Sequence, residues 1–152
     1  MMFVLNEEGV PTMKKKRYKV GYTTGVFDLF HVGHLNILKR AKEHCDYLIV
    51  GVSTDQLVLG YKKKQPTIPF EERVEIVKGV RYVDEVVPQF NRDKFSAWEH
   101  LHFNVMFVGD DWKGSALFSR VETQLQQVGA DVVYFPYTKG VSSSTVREKI
   151  GM

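Results

Sequence analysis

The chain of 152 residues lacks most features that mark secreted or membrane proteins. It has one cysteine, Cys45, which excludes an internal disulfide framework. No apolar run approaches the roughly 20 residues that span a bilayer. Residues 1–16 also lack the ordered basic, apolar and small-residue regions of a secretory signal. We therefore expect a cytoplasmic protein with no membrane contact, in which Cys45 is a buried structural thiol.

A strong excess of one charge is missing as well. The formal net charge is +3, a modest value that fits a protein handling phosphates but also many others. The basic run at residues 14–17 is accompanied by no aromatic-interleaved basic patch and no zinc-finger spacing. Nucleic acid is therefore not an expected partner.

Strand-like and helix-like segments alternate along the chain. The pattern predicts strands over Tyr18–Thr24, Asp46–Ser53, Asp84–Pro88, Asn104–Val108 and Ala130–Phe135. It predicts helices over His34–His44, Phe70–Val80, Arg92–His102, Ala116–Val128 and Ser144–Ile150, with a basic loop over Gly60–Pro69. This alternation is typical of the α/β class. It indicates a single Rossmann-like domain over residues 18–152, with a central parallel sheet flanked by helices, preceded by a flexible N-terminal extension over residues 1–17.

Ligands of such folds bind beyond the carboxyl ends of the strands, where the connecting loops converge. The loops at that edge are predicted to be Gly25–His34, Thr54–Pro69, Gly109–Gly114 and Pro136–Ser144. Nearly all chemically suggestive residues of the sequence lie in them, which predicts the functional site at this edge.

The first of these loops carries His31 and His34, three residues apart. At the start of a helix, side chains with this spacing point the same way. Gly33 between them leaves room where a ligand's phosphates would otherwise meet a side chain. Helix N-termini attract anions, and imidazoles can donate further hydrogen bonds to phosphate oxygens, especially when protonated. Two packed or metal-binding histidines would show the same spacing, but the strand–loop–helix junction with glycines on both sides favours a phosphate site.

Five motifs in order extend this pattern over residues 19–150. They are Gly25-Val26-Phe27-Asp28 with His31-Val32-Gly33-His34, Ser53-Thr54-Asp55, Arg81–Val86, Gly109-Asp110-Asp111-Trp112, and Thr138 with Gly140–Ser143. With these motifs the chain resembles the cytidylyltransferase branch of the HxGH nucleotidyltransferases, and within it the bacterial glycerol-3-phosphate cytidylyltransferases.

The resemblance implies a reaction. In this family a substrate phosphate attacks the α-phosphorus of CTP directly, magnesium-bound pyrophosphate leaves, and no covalent enzyme intermediate forms. It implies transfer of CMP from CTP to a small phosphorylated alcohol such as glycerol-3-phosphate, giving a CDP-activated product for surface polysaccharide or teichoic-acid-like synthesis. Mg²⁺ is the implied cofactor, held mainly by the triphosphate, and a homodimer is the implied assembly.

The resemblance also implies roles for individual residues. The implied catalytic residues are His31, His34 and Lys64. Nucleotide binding is implied for Thr24, Gly25, Val26, Phe27, Gly33, Asp111, Thr138, Gly140, Ser142, Ser143, Ser144 and Thr145, although the serine run also suits the N-cap of the closing helix. Substrate binding is implied for Asp28, Lys62, Arg73 and Arg81.

The sequence departs from the family at Tyr137, where an arginine usually precedes the threonine. A neutral ring there neutralises less phosphate charge than a guanidinium, and Lys139 is a candidate to compensate. Three alternatives stay open. The acceptor could be another phosphorylated polyol, sugar or amino alcohol, the nucleotide could be ATP, or the chain could be a catalytically weak nucleotide-binding regulatory protein.

Overall fold

The structure is a computed structural model that describes residues 3–5, 8, 11–13, 17–136 and 138–151. Its main sheet has five parallel strands in the order β5-β4-β3-β6-β7. The strands are β3 (Tyr18–Gly25), β4 (Cys45–Ser53), β5 (Glu85–Gln89), β6 (Val105–Gly109) and β7 (Asp131–Phe135). Strands β3 and β4 lie near the centre, so their carboxyl ends open at the middle of one edge.

Helices connect these strands. They are α1 (Val32–Glu43), α2 (Asp55–Lys62), α3 (Phe70–Lys78), α4 (Lys94–Leu101), α5 (Ala116–Gln127) and α6 (Ser143–Lys149), with a 3₁₀ turn at Asp110–Trp112. Side chains cap most of them at the N-terminus: His31 caps α1, Thr54 caps α2, Asp93 caps α4, Ser115 caps α5 and Ser142 caps α6. The predicted α/β domain with a central parallel sheet is confirmed.

Two apolar layers cover the two faces of the sheet. On one face, Leu38 of α1 and Val77 of α3 pack with the β4 residue Val50. On the other, Phe118 and Leu125 of α5 belong to the second layer. Burying a side chain of this size stabilises the fold by about 1.5–3 kcal/mol. The layers hold the sheet rigidly and leave its carboxyl edge to the loops.

Cys45 belongs to the first layer and is completely buried. Burial raises the pKa of its thiol to about 11, so the thiol stays protonated near neutral pH. The prediction of a buried structural thiol is confirmed.

One predicted loop was wrong in part. Residues 55–62 were assigned to the loop after β4, but they form helix α2, because Thr54 accepts a hydrogen bond from the Leu57 amide and Val58 is buried beneath it. Lys63 then ends the helix in a left-handed conformation. Only residues from 63 onward remain irregular before α3, so Lys62 extends from a helix end.

Ahead of the domain, β1 (Phe3–Leu5) and β2 (Pro11–Met13) pair antiparallel as a separate two-stranded sheet. The flexibility predicted for residues 1–17 stays a prediction. None of the helices in the described part of the chain combines the length and the apolar character that a membrane crossing requires.

Candidate active site

The two histidines of the first loop form a stacked pair at the start of α1. Their ring centroids are 3.9 Å apart and their planes differ by 22°. His31 is the N-cap residue, and its Nδ1 accepts a hydrogen bond from the Gly33 amide at 3.0 Å. His34 completes the cap from the third helical position, because its Nδ1 accepts from the His31 amide at 3.2 Å. The sequence spacing therefore places both rings on the same side.

This cap also fixes the protons of the rings. A backbone amide can only donate, so each Nδ1 must be unprotonated and each neutral ring carries its proton on Nε2. Burial lowers the pKa of His34 to about 4, with the His31 ring adding to the effect, and burial lowers the pKa of His31 as well. Both rings are thus neutral near pH 7 and offer Nε2–H donors. The expectation that protonation strengthens them does not fit this cap.

Gly33 is needed by the histidine pair itself. A Cβ atom at this position would lie 2.8 Å from Cε1 and 2.9 Å from Nδ1 of His31, closer than such atoms approach. The sequence argument gave Gly33 the task of leaving room for a ligand. In the structure the nearest group is the imidazole, so the glycine allows the ring to fold over the helix start.

Two cavities meet at His34, which lines both of them together with Val26, Phe27 and Lys62. We call the first the basic cavity. It has a volume of about 330 Å³, and its charged and hydroxyl groups come from Lys62, Lys64, Arg147, Ser143, Ser144 and Asp28. Lysine, arginine and serine side chains around one imidazole are suited to the oxygens of a polyphosphate.

The second is the central cavity, about 350 Å³ in volume, which lies over the carboxyl ends of the strands. Thr24 and Gly25 of β3, Ser53 of β4 and Gly109 of β6 contribute to its wall, and Trp112 lines it from the 3₁₀ turn. Its position agrees with the rule for ligand sites in open parallel sheets. A ligand spanning both cavities would pass the ring of His34. His31 is stacked on that ring but lines neither cavity.

Asp28 lines the basic cavity, but its carboxylate is already used within the protein. It is 3% exposed and accepts hydrogen bonds from the amides of Thr67 and Ile68, both at 2.8 Å, and from the Arg147 guanidinium. Burial alone would raise the pKa of Asp28, but these donors bring it below its usual value. Asp28 therefore ties the first loop to the segment before α3.

Arg73 has a similar structural role, contrary to the expected substrate contact. It is fully buried and donates to the carbonyl oxygens of Ile68 at 2.8 Å, Val26 at 2.7 Å and Ser53 at 2.8 Å, and to the Asp55 carboxylate at 2.6 Å. These bonds use four of its five N–H donors, and the side chain has no exposed surface for a ligand. We call Asp28 and Arg73 the loop clasp, because together they hold the first loop, the end of β4 and the segment before α3.

The loop clasp explains the conformation of the first loop. Phe27 and Leu29 adopt positive φ angles of 56° and 50°, which cost free energy for residues other than glycine. Asp28 lies between them and is held by three donors, while Val26 is held through its carbonyl by Arg73. The bonds of the clasp keep the strained loop in place, and the Phe27 ring packs 5.3 Å from His34.

The remaining predicted residues lie at varying distances from the cavities. Thr138 accepts a hydrogen bond from Asn36 beside α1, and Gly140 has a φ of 77° in the following turn. Ser142 accepts from the Thr145 amide as the cap of α6, which is its structural role, and neither residue lines the two cavities. Asp111 and Arg81 are exposed and line neither cavity, and the ligand contacts predicted for them stay predictions. Tyr137 lies outside the described residues.

Three basic residues were missed by the sequence analysis. Arg147 lies one helical turn after Ser143, on the face of α6 that meets the basic cavity, and this spacing could have revealed it. Arg92 and Lys94 line the central cavity from the start of α4. Their sequence segment was predicted as an ordinary helix, and no local pattern distinguishes them from surface cations.

A bound metal would have few ligands here. Within the described ranges, no three His, Cys, Asp or Glu side chains are grouped to hold a metal ion. Asp28 is the acidic residue of the basic cavity, and its oxygens already accept three donors. The donor set of this cavity therefore fits an ion that arrives bound to phosphate oxygens better than one held by carboxylates.

Comparisons with known proteins agree with this geometry. The sequence model of a family described as Cytidylyltransferase-like matches residues 22–149. Glycerol-3-phosphate cytidylyltransferase of Bacillus subtilis (strain 168) is 39% identical over 130 residues, covering 84% of this chain and 94% of that protein. FAD synthase of Thermococcus sibiricus is 36% identical over 125 residues, covering 82% and 84%.

A solved structure shows the same fold. It is that of the lipopolysaccharide core biosynthesis protein from Thermoplasma volcanium GSS1, with a TM-score of 0.67 and 22% identity, covering 82% of this chain and 99% of that one. The resemblance deduced from the five motifs is confirmed by the family match over most of the chain. This chain belongs to the cytidylyltransferase-like family and is a nucleotidyltransferase.

Proposed function

We propose that this chain transfers CMP from CTP to a small phosphorylated alcohol such as glycerol-3-phosphate, releasing pyrophosphate. The observation that carries the proposal is the stacked, neutral histidine pair, of which His34 lies where the two cavities meet. The relative from Bacillus subtilis, named as a glycerol-3-phosphate cytidylyltransferase, supports the choice of nucleotide and acceptor. A surface-polymer pathway, a cytoplasmic location and a homodimer are further parts of the proposal.

In the proposed reaction an acceptor phosphate oxygen forms a bond to the α-phosphorus of CTP. The bond from that phosphorus to the bridging oxygen breaks, and the electron pair leaves with pyrophosphate. No side chain is needed as a nucleophile, so positioning and charge stabilisation are the main tasks of the protein. This agrees with a site built from donors and cations around the central imidazoles.

Each group has a task in this arrangement. His31 and His34 donate their Nε2–H groups to phosphate oxygens on which negative charge develops. Lys62, Lys64 and Arg147 neutralise the departing pyrophosphate, and Ser143 and Ser144 lie beside it in the basic cavity. In this proposal Arg147, and not Lys139, supplies the positive charge that compensates for the missing arginine at Tyr137.

Mg²⁺ is proposed as a cofactor that enters with the triphosphate and adds charge neutralisation there when bound. The chain's own contribution is the cationic wall of the basic cavity. Asp28 stays engaged with Arg147 and the loop amides and does not serve as a metal ligand.

A pyrophosphate-release assay tests this function. The protein and Mg²⁺ are incubated with CTP or ATP and a panel of acceptors that includes glycerol-3-phosphate, other polyol and sugar phosphates, phosphoethanolamine and FMN. We expect release with CTP and a polyol phosphate. Release with ATP and FMN alone would indicate adenylyl transfer instead, and CTP binding without release from any acceptor would support the regulatory alternative.

The histidine pair is tested by His31→Ala and His34→Ala. Each should lower turnover by at least about a hundredfold, because a donor aimed at developing charge is lost. His100→Ala is the matched control, since this exposed histidine lies on α4 and its Nδ1 contacts the Ser96 carbonyl at 2.9 Å. Circular dichroism should show that all three variants fold, and near-normal turnover of both site variants would refute the proposed mechanism.

A further inference from the structure

The central cavity has an unbalanced positive charge. Lys62, Arg92 and Lys94 line it, and no aspartate or glutamate does so in the part of the chain that the structure describes. Lys62 lies where this cavity meets the basic cavity, whereas Arg92 and Lys94 extend from the segment after β5. The end formed by Arg92 and Lys94 therefore faces whatever part of a ligand lies beyond the phosphates.

Among the described residues, the hydrogen-bond partner of Lys94 is a neutral hydroxyl. It is the first residue of α4 and is partly buried, and its Nζ donates to Thr24 Oγ1 at 3.2 Å. The neighbouring Asp93 carboxylate is used as the helix cap, accepting from the Phe95 and Ser96 amides. Burial, and next the charge of Arg92, lower the pKa of Lys94 to about 8. Two of the three ammonium donors remain for a ligand.

Arg92 is held beside the same space. Its guanidinium lies over the Tyr61 ring, 4.7 Å from the ring centroid. This contact orients the cation and also covers a face of the Tyr61 ring, which is the kind of surface that binds ligand ammonium groups. Trp112, the other large aromatic residue at the rim, packs at 5.5 Å from Phe118.

These features discriminate between acceptors. An acceptor whose head group reaches this end of the central cavity meets donors and positive charge, which hydroxyl oxygens satisfy. A primary or quaternary ammonium would instead face two cations with no carboxylate to offset them, and like charges at this range repel strongly.

We propose that Arg92 and Lys94 are specificity-determining residues that select phosphorylated polyols or sugars and reject phosphorylated amino alcohols. This inference rests on the proposed function and narrows its acceptor class. It concerns the end of the acceptor away from the bond being made, so these residues should act on the choice between acceptors.

The test compares kcat/KM for glycerol-3-phosphate and phosphoethanolamine at saturating CTP. The wild type should prefer glycerol-3-phosphate by about a hundredfold. Lys94→Glu should reduce this preference by at least about tenfold, and Lys94→Met, which keeps the aliphatic stem, by a smaller factor. Lys39→Glu, the same charge change at an exposed position of α1 outside both cavities, should keep the wild-type preference. The KM for CTP is measured for each variant as well, because Lys94 donates to Thr24, a predicted nucleotide-binding residue.

Several outcomes would overturn the inference. One is equal use of both acceptors by the wild type. Another is an equal loss for both acceptors in Lys94→Glu and Lys94→Met, which would place Lys94 on the transferred phosphate. Absence of pyrophosphate release with CTP and every acceptor would instead refute the proposed function and this inference with it, so the two failures are distinguishable.

Discussion

The charged residues around the first loop form two groups that differ in their partners. In the loop clasp, Asp28 is 3% exposed and Arg73 is fully buried, and both form their hydrogen bonds with other groups of the protein. In the cavity walls, Lys62, Lys64 and Arg92 are exposed and form no ion pair within the described residues. The difference teaches that charge near a site is not by itself a sign of ligand contact: the first group builds the site and the second can act in it.

The largest effect should come from breaking the clasp. Arg73→Met removes the donors of three carbonyl oxygens and the ion-pair partner of Asp55, so the free energy of unfolding should fall by about 3–5 kcal/mol. Urea denaturation measures the change. Arg81→Met, the same substitution at an exposed position, should stay within about 0.5 kcal/mol of the wild type. If both variants unfold at the same urea concentration, the clasp is not a major source of stability.

The cavity lysines should show the opposite behaviour. Lys62→Met and Lys64→Met should change the free energy of unfolding by no more than about 0.5 kcal/mol. Each should lower kcat/KM by about tenfold or more, because charge facing the departing pyrophosphate is lost.

Lys63→Met is the matched control for these two variants. Lys63 lies between them in sequence but lines neither cavity, so its replacement should leave kcat/KM unchanged. Equal losses in all three variants would mean that the lysines act only through general charge, and the distinction drawn from the cavity walls would fail.

The narrowest effect, confined to acidic pH, is a pH dependence of stability that comes from His34. The ordinary pKa of a histidine is 6.5, and the pKa of His34 in the folded chain is about 4. Between pH 4 and pH 6.5 the unfolded state therefore binds more protons than the folded state. The free energy of unfolding should therefore fall as the pH falls from 6.5 to 4, by at most about 1.4 kcal/mol per pH unit, with no contribution above that window.

Urea denaturation at several pH values checks this dependence. His34→Asn should show a shallower loss of stability than the wild type across the window, whereas His100→Asn should match the wild type. If the free energy of unfolding depends on pH identically in all three proteins, His34 is not a buried neutral ring.

Much of the fold could be predicted from local pattern alone. The apolar run of β4 and the helical spacing of α1 are strong signals, and both elements lie within two residues of their predicted ends. Helix α2 was missed because Gly60 and the lysine run after it resemble a loop. The cap at Thr54 and the buried Val58 stabilise it, and burial depends on neighbours that are distant in sequence.

The site was predicted less evenly for a similar reason. The histidine pair is local, so its spacing was enough to place both rings. The partners of Asp28 lie from 39 to 119 residues away, and the most distant partner of Arg73, Val26, lies 47 residues away. Only the folded structure brings these residues together. The same holds for Arg92 and Lys94, whose position in the central cavity depends on how β5 pairs with β4.

The N-terminal cap of α1 has a consequence for protein engineering. Within four consecutive residues, His31–His34, the backbone orients both rings and the glycine makes room for them. The residues of this segment orient one another, so the segment can be transferred as a unit. Replacing one of the two histidines or Gly33 would disturb both the catalytic rings and the start of the helix. A designer who transplants this chemistry to another parallel sheet should therefore move the whole tetrapeptide with its turn.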